Sequence, residues 1–198
     1  MNIYKYISEF PIVPGKEIGI GADGQVFDLP NNKAIKYSIL FDYNQNIHNI
    51  FNKRLNVFKT LDENVFVKIY DYKKVLESTR TFDEQNQTYI VYYYVMDKLS
   101  KISDDESKVF HTLLSHEDAN IIKDYSTQQI INICNDLSKF LDFNKNKVMD
   151  FIFNYKSSKF IHLDLHPRNI MKLNEEFKLI DLDRITKKKE NIWKQNSI

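Results

Sequence analysis

Two clusters of polar residues, each bordered by apolar residues, constrain the fold of this chain most strongly. The first is His162-Leu163-Asp164-Leu165-His166-Pro167-Arg168-Asn169, and the second, beginning twelve residues after Asn169, is Asp181-Leu182-Asp183. An Asp and an Asn five apart on a tight loop, with another Asp after a strand pair, offer a base for a hydroxyl and oxygen ligands for Mg²⁺. The clusters therefore predict a loop and a strand pair that build a nucleotide and metal site.

A glycine-rich segment in the first part of the chain provides a second, independent pattern. Gly19-Ile20-Gly21-Ala22-Asp23-Gly24-Gln25-Val26 reads G-x-G-x-x-G-x-V, and Lys33-Ala34-Ile35-Lys36 follows it. Glycines let a hairpin turn bring backbone N–H groups close to phosphates, and Lys36 adds a positive charge. Taken alone, the glycine pattern is a weak signal, because glycines in a hairpin more often serve only as turn residues. A dinucleotide-binding βαβ unit is disfavoured, because the turn residues Pro30-Asn31-Asn32 stand where that fold requires a helix.

Together, the two segments resemble the protein-kinase-like superfamily, with its H-x-D-x-x-x-x-N catalytic loop, metal-binding Asp, glycine loop and V-A-I-K element. The motif H-x-D-L-H-P-x-N-I is most similar to that of aminoglycoside and choline kinases. In its small size the chain is similar to the small atypical kinases of the RIO and Kdo-kinase type. The resemblance implies an α+β, two-lobed protein-kinase-like fold. Residues 1–97 would form an N-lobe with a five-stranded antiparallel sheet and one helix, and residues 98–198 a truncated, mainly helical C-lobe.

The resemblance also implies roles for individual residues. Asp164 is expected to be the catalytic base, Asn169 and Asp181 to hold Mg²⁺, and Lys36 to contact the phosphates of ATP. Asn169 and Lys36 count with Asp164 as catalytic residues. His162 is expected to anchor the loop, whereas His166 and Arg168 are either substrate contacts or solvated loop cations. The residues expected to bind nucleotide are Gly19, Gly21, Gly24, Val26, Lys36, Met96, Asp97 and Leu99, the last three in a hinge.

The spacing of apolar residues predicts the order of the elements. Strands are expected at residues 17–20, 25–29, 33–38, 65–72 and 88–96, with an amphipathic helix within 43–61. Two capping-box patterns, Ser103-x-x-Glu106 and Ser126-x-x-Gln129, predict the starts of helices. The second of these helices is expected to reach about residue 141 and to carry Phe140 on its apolar face. Another helix is expected at 147–155.

Composition narrows the class of protein further. The 198 residues are 42% hydrophobic, enough for one core or for two small lobes, and the net charge is +1. That charge gives no long-range field for nucleic acid or an anionic membrane. The single cysteine, Cys134, excludes an internal disulfide framework and lies in an apolar run that predicts a buried side chain. Because no segment approaches the ~20 apolar residues of a membrane span, we expect a soluble, cytoplasmic protein.

Two departures from the kinase pattern leave more than one function open. Residues 43–61 contain no acidic residue to pair with Lys36, and Arg54 falls near the position expected for a Glu. Only 17 residues follow Asp181 (198 − 181), so substrate recognition is expected from the helices between Leu99 and Tyr155, from the tail around Trp193 or from a partner protein. The leading hypothesis is a Mg²⁺-ATP-dependent kinase acting on a hydroxyl of a protein, as a serine/threonine kinase, or of a small molecule. The alternatives are a pseudokinase that binds nucleotide or a partner, and a purely structural interaction domain.

Overall fold

The structure, a computed structural model, describes residues 2–7, 9–21, 23–42, 46–82, 85–114 and 125–188. The chain forms two compact units. The first contains Met1–Thr60 and Val67–Leu99, and the second contains Leu61–Phe66 and Ser100–Ile198. No helix in these described ranges is long and apolar enough to cross a membrane.

The first unit is built on a five-stranded antiparallel sheet. Its strands are β1 (Glu17–Ile20), β2 (Gly24–Leu29), β3 (Lys33–Asp42), β4 (Ile69–Phe82) and β5 (Gln85–Asp97), in the order β1-β2-β3-β5-β4. Helix α1 (Ile47–Phe58) lies between β3 and β4 in the chain. Asn31 and Asn32 close the β2–β3 hairpin with positive φ angles of 59° and 56°, a conformation that Asn tolerates in turns. The predicted sheet and helix are confirmed.

The two faces of this sheet bury different groups. One face packs Phe27, Tyr37 and Tyr93 against Ile3 and Ile7 of the N-terminal segment. The Tyr37 hydroxyl fixes that segment by donating to the Ile12 carbonyl oxygen at 2.8 Å. The opposite face carries α1, through the ring pairs Phe51–Tyr92 and Phe58–Tyr94, whose centroids are 5.5 and 5.3 Å apart. The alternation of side chains along β2, β3 and β5, whose pairing is regular, separates the two sets.

The buried Tyr93 should make stability depend on alkaline pH. Its hydroxyl donates to Asp71 Oδ2 at 2.9 Å, and burial together with this bond raises the pKa of Tyr93 from 10.0 to about 12. Between these values the unfolded chain loses a proton that the folded chain keeps, so the unfolding free energy falls as pH rises. We expect Tyr93→Phe to remove part of this fall. Urea unfolding at pH 9, 10 and 11 measures it, with the exposed Tyr4→Phe as the control; equal slopes in the parent and Tyr93→Phe would contradict the expectation.

The second unit is mainly helical, as predicted. Its helices are α2 (Asp104–Leu113), α3 (Thr127–Leu137) and α4 (Lys145–Ser157). Its strands form a three-stranded antiparallel sheet and a two-stranded ladder: β6 (Ser100–Lys101), β8 (Ile170–Leu173) and β9 (Glu176–Leu179) in the sheet, and β7 (Phe160–His162) with β10 (Ile185–Lys187) in the ladder. Both predicted capping boxes are present, at Ser103 and at Ser126. The local sequence therefore fixes where α2 and α3 begin.

A buried ion pair joins α2 to this three-stranded sheet. Glu106 Oε1 lies 2.7 Å from Lys172 Nζ of β8, while Glu106 Oε2 accepts the Ser103 amide of the capping box at 2.8 Å. Burial alone would lower the pKa of Lys172, but the hydrogen bonds to Glu106 and Glu175 raise it. Lys172 is therefore held in its charged form on the strand that follows Asn169.

The short segment 61–66 belongs to the second unit although it precedes β4. The Val65 carbonyl oxygen accepts the Leu179 amide at 2.8 Å, and Phe66 forms a parallel bridge with the same residue. The Phe66 and Phe160 rings are 6.1 Å apart, edge to face. Val65 and Phe66 are fully buried by these contacts.

Two sequence-based boundaries are wrong for physical reasons. The strand predicted at 65–72 begins at Ile69, because the apolar residues Val65 and Phe66 are buried by the second unit. It then continues beyond the predicted end to Phe82, because residues 73–82 pair with β5. These residues show no regular alternation of apolar and polar side chains, so the sequence pattern did not predict this part of the strand. The helix predicted to reach residue 141 ends at Leu137, so Phe140 lies beyond the apolar face and is 84% exposed. Cys134 is buried, as predicted.

Candidate active site

His162 organises the loop that carries Asp164. Its Nδ1 accepts the Asp164 amide at 3.2 Å, so the proton of the neutral ring lies on Nε2. That nitrogen is 2.8 Å from the Ile180 carbonyl oxygen and 3.1 Å from the Asp181 carbonyl oxygen, to which it donates. Burial lowers the pKa of His162, which keeps the ring neutral for this dual role. The expected anchoring role of His162 is what this geometry provides.

Tyr155 holds the backbone of His162 in place. The His162 amide donates to the Tyr155 hydroxyl at 3.1 Å, and burial raises the pKa of this tyrosine. The sequence gives no signal for this role of Tyr155, because an aromatic residue near the end of an amphipathic helix is typical of a core residue. Leu163, whose amide donates to the Arg184 carbonyl oxygen at 2.7 Å, ties the other side of the loop to the residue preceding β10.

Asn169 closes the loop onto Asp164. Its Nδ2 donates to the Asp164 carbonyl oxygen at 2.9 Å, so its amide oxygen Oδ1 points away from that carbonyl. The Asn169 carbonyl oxygen accepts the Ile180 amide at 2.9 Å, next to the β8–β9 pair. Asn169 is buried, whereas the Asp164 side chain is 54% exposed. The amide is therefore fixed, and the carboxylate can meet a reactant.

Asp181 follows Ile180 in a left-handed conformation, with φ of 58° and ψ of 53°. Non-glycine residues rarely adopt this conformation, although Asp tolerates it better than most. The chain bends here into the tight turn Leu182–Arg184, in which the Arg184 amide donates to the Asp181 carbonyl oxygen at 3.2 Å. Asp183 is buried in this turn and does not continue a strand with Asp181. The strain is located where a metal ligand is expected, as is common at functional sites.

Oxygen donors at Asn169 and Asp181 are chemically suited to Mg²⁺. The ion prefers oxygen ligands and is commonly bound by one or two carboxylates together with substrate phosphates and water. Across the described residues, no group of three or more His, Cys, Asp and Glu side chains is arranged to hold a metal by itself. Asn169 and Asp181 could thus supply two oxygen ligands, and the other ligands of such an ion would come from phosphate or water.

Several of the predicted nucleotide-binding residues share one face of the sheet in the first unit. Lys36 pairs directly with Val26 on one side and with Tyr94 on the other. Directly opposed residues point to the same face, which is the face that packs against α1. Gly24 and Met96 lie at matching positions on that face. Lys36 is 93% buried, with Nζ 5.8 Å from the centroid of the Tyr94 ring.

The residues of the predicted hinge have different environments. Met96 is buried, and Leu99 is half-buried just after β5. The Asp97 carboxylate lies 2.7 Å from Lys33 Nζ and accepts the Tyr70 hydroxyl at 2.9 Å. Its side chain therefore stabilises the strand ends, and any contact of Asp97 with a nucleotide would use its backbone.

Helix α1 supplies no carboxylate to the face that carries Lys36. Its residue nearest the expected Glu position is Arg54, whose guanidinium donates to the Tyr92 hydroxyl and lies 5.7 Å from the centroid of the Tyr92 ring. Tyr92 is two residues from Tyr94 on the same face of β5. A basic residue and a tyrosine hydroxyl thus lie on α1 and β5 near the position at which the sequence pattern led us to expect a Glu.

The three glycines of the hairpin between β1 and β2 have different structural roles. None of them has a positive φ angle. A Cβ at Gly24 would lie 2.2 Å from the Tyr37 carbonyl oxygen, and a Cβ at Gly19 would make only ordinary contact with Val26. At Gly21 the nearest atom to an added Cβ is 3.9 Å away. Only Gly24 is required by the packing of the sheet.

Alanine substitutions should therefore show which of these glycines the packing of the sheet requires. We expect Gly24→Ala to lower the unfolding free energy by about 1–3 kcal/mol, because β2 and β3 must move apart to admit the methyl group. Gly21→Ala, the matched control, should change it by less than about 0.5 kcal/mol. Urea unfolding of the two variants checks both values. Equal losses would show that the close approach at Gly24 does not govern stability.

The predicted site residues thus fall into two groups. Asp164, Asn169 and Asp181 are brought together by hydrogen bonds in the second unit. Gly24, Val26, Lys36 and Met96 share a sheet face in the first unit. That both groups serve one nucleotide stays a prediction.

Comparison with known proteins adds the following findings. No protein-family model matches the chain, and no curated protein matches it. Among solved structures, the chain is similar to the ROP18 kinase domain in complex with AMP-PNP and sucrose, with a TM-score of 0.48 and 15% sequence identity. The similarity covers 88% of this chain and 52% of that one, so the chain spans about half the length of its structural neighbour.

Proposed function

We propose that this chain is a Mg²⁺-ATP-dependent phosphotransferase that transfers the γ-phosphoryl group of ATP to a hydroxyl. The observation that supports it best is the hydrogen-bonded scaffold around Asp164. His162 binds the Asp164 amide and the Asp181 carbonyl oxygen with its two ring nitrogens, and Asn169 binds the Asp164 carbonyl oxygen. A base and two oxygen ligands on one rigid scaffold are what positioning-dominated phosphoryl transfer requires.

The proposed step is a simple displacement at phosphorus. The acceptor oxygen forms a bond to the γ-phosphorus, the bond from that phosphorus to the bridging oxygen of ADP breaks, and Asp164 accepts the hydroxyl proton. Bound Mg²⁺ would neutralise the charge of the phosphates. Asn169 Oδ1 and the Asp181 carboxylate would hold it, and Lys36 with the glycine hairpin would bind the nucleotide.

The acceptor molecule belongs to one of two classes. The sequence of the catalytic loop favours a small molecule, whereas the exposed Asp164 is equally suited to a hydroxyl of a protein, as in a serine/threonine kinase. We further propose that the chain works in the cytoplasm and that a partner protein completes its substrate surface.

A second function, nucleotide binding without transfer, is favoured by one observation. Helix α1 carries no acidic residue, and its Arg54 binds Tyr92. In active protein kinases a Glu of the corresponding helix pairs with the phosphate-binding Lys. A pseudokinase would keep the scaffold around Asp164 while having no use for the base.

Two measurements on one pair of proteins test the proposal. Purified parent protein should be stabilised thermally by ATP only when Mg²⁺ is present, since a ligand that binds the folded state raises its stability. With lysate and ATP, it should also add phosphate to a protein or small molecule, detected by mass. Asp181→Ala should lose the Mg²⁺-dependent part of the stabilisation, because it removes a metal ligand.

The control for Asp181→Ala is Asp136→Ala, which removes a carboxylate that is 71% exposed on α3. It should behave as the parent does. Stabilisation without transfer would select the pseudokinase function, and the absence of both would reject nucleotide binding altogether.

A further inference from the structure

His166 is held in one orientation inside the loop it shares with Asp164. Its Nδ1 accepts the Arg168 amide at 3.1 Å, and its carbonyl oxygen accepts the Asn169 amide at 2.9 Å. The ring therefore caps the tight turn Pro167–Asn169. Its side chain is 32% exposed, so it borders the space next to Asp164 instead of lying in the core.

The cap determines which ring nitrogen carries the proton. Because Nδ1 accepts a hydrogen bond, the neutral ring has its proton on Nε2. Nε2 lies 3.5 Å from Asp164 Oδ2 and 3.2 Å from Asn169 Nδ2. Asn169 Nδ2 donates one hydrogen to the Asp164 carbonyl oxygen, and its second hydrogen can bind Nε2 only in the other tautomer, which gives up the cap to the Arg168 amide. In the tautomer that caps the turn, the acceptor within reach of the Nε2 proton is the Asp164 carboxylate.

We propose that His166 is a positioning residue that holds the Asp164 carboxylate through Nε2–H, leaving the second carboxylate oxygen for the acceptor hydroxyl. This inference rests on the proposed function, because Asp164 is taken as the base. The 3.5 Å separation is longer than a normal hydrogen bond. Catalytic hydrogen bonds are often long in free proteins and shorten once substrate is bound.

Two substitutions separate the two nitrogens of the ring. An Asn side chain places its amide oxygen near the position of Nδ1, so His166→Asn keeps the cap and loses the contact with Asp164. A Gln side chain places its amide nitrogen near the position of Nε2, so His166→Gln keeps a donor for Asp164 and loses the cap. His111→Asn, at an exposed position in the last turn of α2, is the matched control for loss of a histidine.

Steady-state kinetics then distinguish the roles. We expect His166→Asn to lower kcat by roughly 10-fold to 100-fold with KM for ATP within about twofold, since a misplaced group costs rate more than binding. His166→Gln should recover most of kcat, and His111→Asn should match the parent. If His166→Asn equals the parent while His166→Gln is impaired, the ring only caps the turn and the inference is wrong. It is also wrong if both variants raise KM for ATP at unchanged kcat, which indicates a phosphate contact.

A spectroscopic measurement keeps the test independent of transfer. In ¹⁵N-labelled protein at neutral pH, the ring signals of His166, assigned by their loss in His166→Asn, should show the proton on Nε2. The Nε2 signal should shift in Asp164→Asn. A proton on Nδ1, or an Nε2 signal unchanged by Asp164→Asn, overturns the inference even if the protein transfers phosphate. Conversely, a parent protein that shows this signature without any transfer retains the contact and fails the proposed function.

Discussion

Asp164→Asn should lower phosphoryl transfer by roughly 10² to 10⁴-fold while leaving Mg²⁺-ATP binding nearly unchanged. The expected loss is that of a positioned general base. The substitution keeps the side-chain shape, and the scaffold contacts use backbone atoms of Asp164: its amide binds His162 and its carbonyl oxygen binds Asn169. The loop should therefore keep its conformation. Transfer rates measured at saturating ATP, with thermal stabilisation by Mg²⁺-ATP measured in parallel, check both halves of the expectation.

The matched control is Asp136→Asn, the same chemical change at an exposed ion pair with Lys139. It should alter neither quantity. If Asp164→Asn reduces ATP affinity as strongly as Asp181→Ala does, Asp164 is a ligand of the nucleotide complex and not the base. If Asp164→Asn transfers as fast as the parent, another group accepts the proton and the proposed mechanism is wrong.

Glu106→Ala should lower the unfolding free energy by about 3 kcal/mol, the largest stability effect expected for a polar substitution in this chain. The change removes the 2.7 Å partner of Lys172, which keeps only the exposed Glu175 at 3.2 Å, and removing one member of a largely buried pair is strongly destabilising. It also removes half of the capping box at Ser103, which contributes about 1 kcal/mol to such helices. Urea unfolding at neutral pH measures the loss.

The variant Glu106→Gln separates the contribution of the ion pair with Lys172 from that of the capping box. Gln can still accept the Ser103 amide, so the capping box is kept while the charge opposite Lys172 is lost. Its unfolding free energy should fall between those of the parent and Glu106→Ala. Asp136→Ala, which breaks an exposed pair, should cost no more than about 1 kcal/mol. A loss below 1 kcal/mol in Glu106→Ala would show that Glu175 or water compensates for the loss of Glu106.

The elements predicted correctly from the sequence are those whose signals are local. A capping box needs only the residues Ser103 and Glu106, and a hairpin needs only its own turn and alternating side chains. The boundaries that failed depend on distant residues. Val65 and Phe66 have the apolar character of a strand, yet Leu179 and Phe160, more than ninety residues away, bury them in the second unit.

The candidate site shows the same difference between local sequence signals and contacts that depend on distant residues. The spacing of His162, Asp164 and Asn169 predicts that all three lie on one short loop, and hydrogen bonds join them there, whereas their roles stay a prediction. The left-handed conformation of Asp181 could not be predicted, because it arises from the turn that follows and from the His162 ring bound to its carbonyl oxygen. The support from Tyr155 was missed for a similar reason, since its hydroxyl contacts a residue on another element.

The membership of segment 61–66 in the second unit affects how this protein can be divided into fragments. A fragment ending at Leu99 would include Val65 and Phe66 but lack Phe160 and Leu179, which bury them. A fragment beginning at Ser100 would contain Phe160 and Leu179 but lack segment 61–66, which packs against them. Neither half is a self-sufficient folding unit in linear sequence. If two fragments cut between Leu99 and Ser100 were co-expressed, segment 61–66 of the first fragment would have to pack into the second fragment. This would resemble complementation by a strand from another chain.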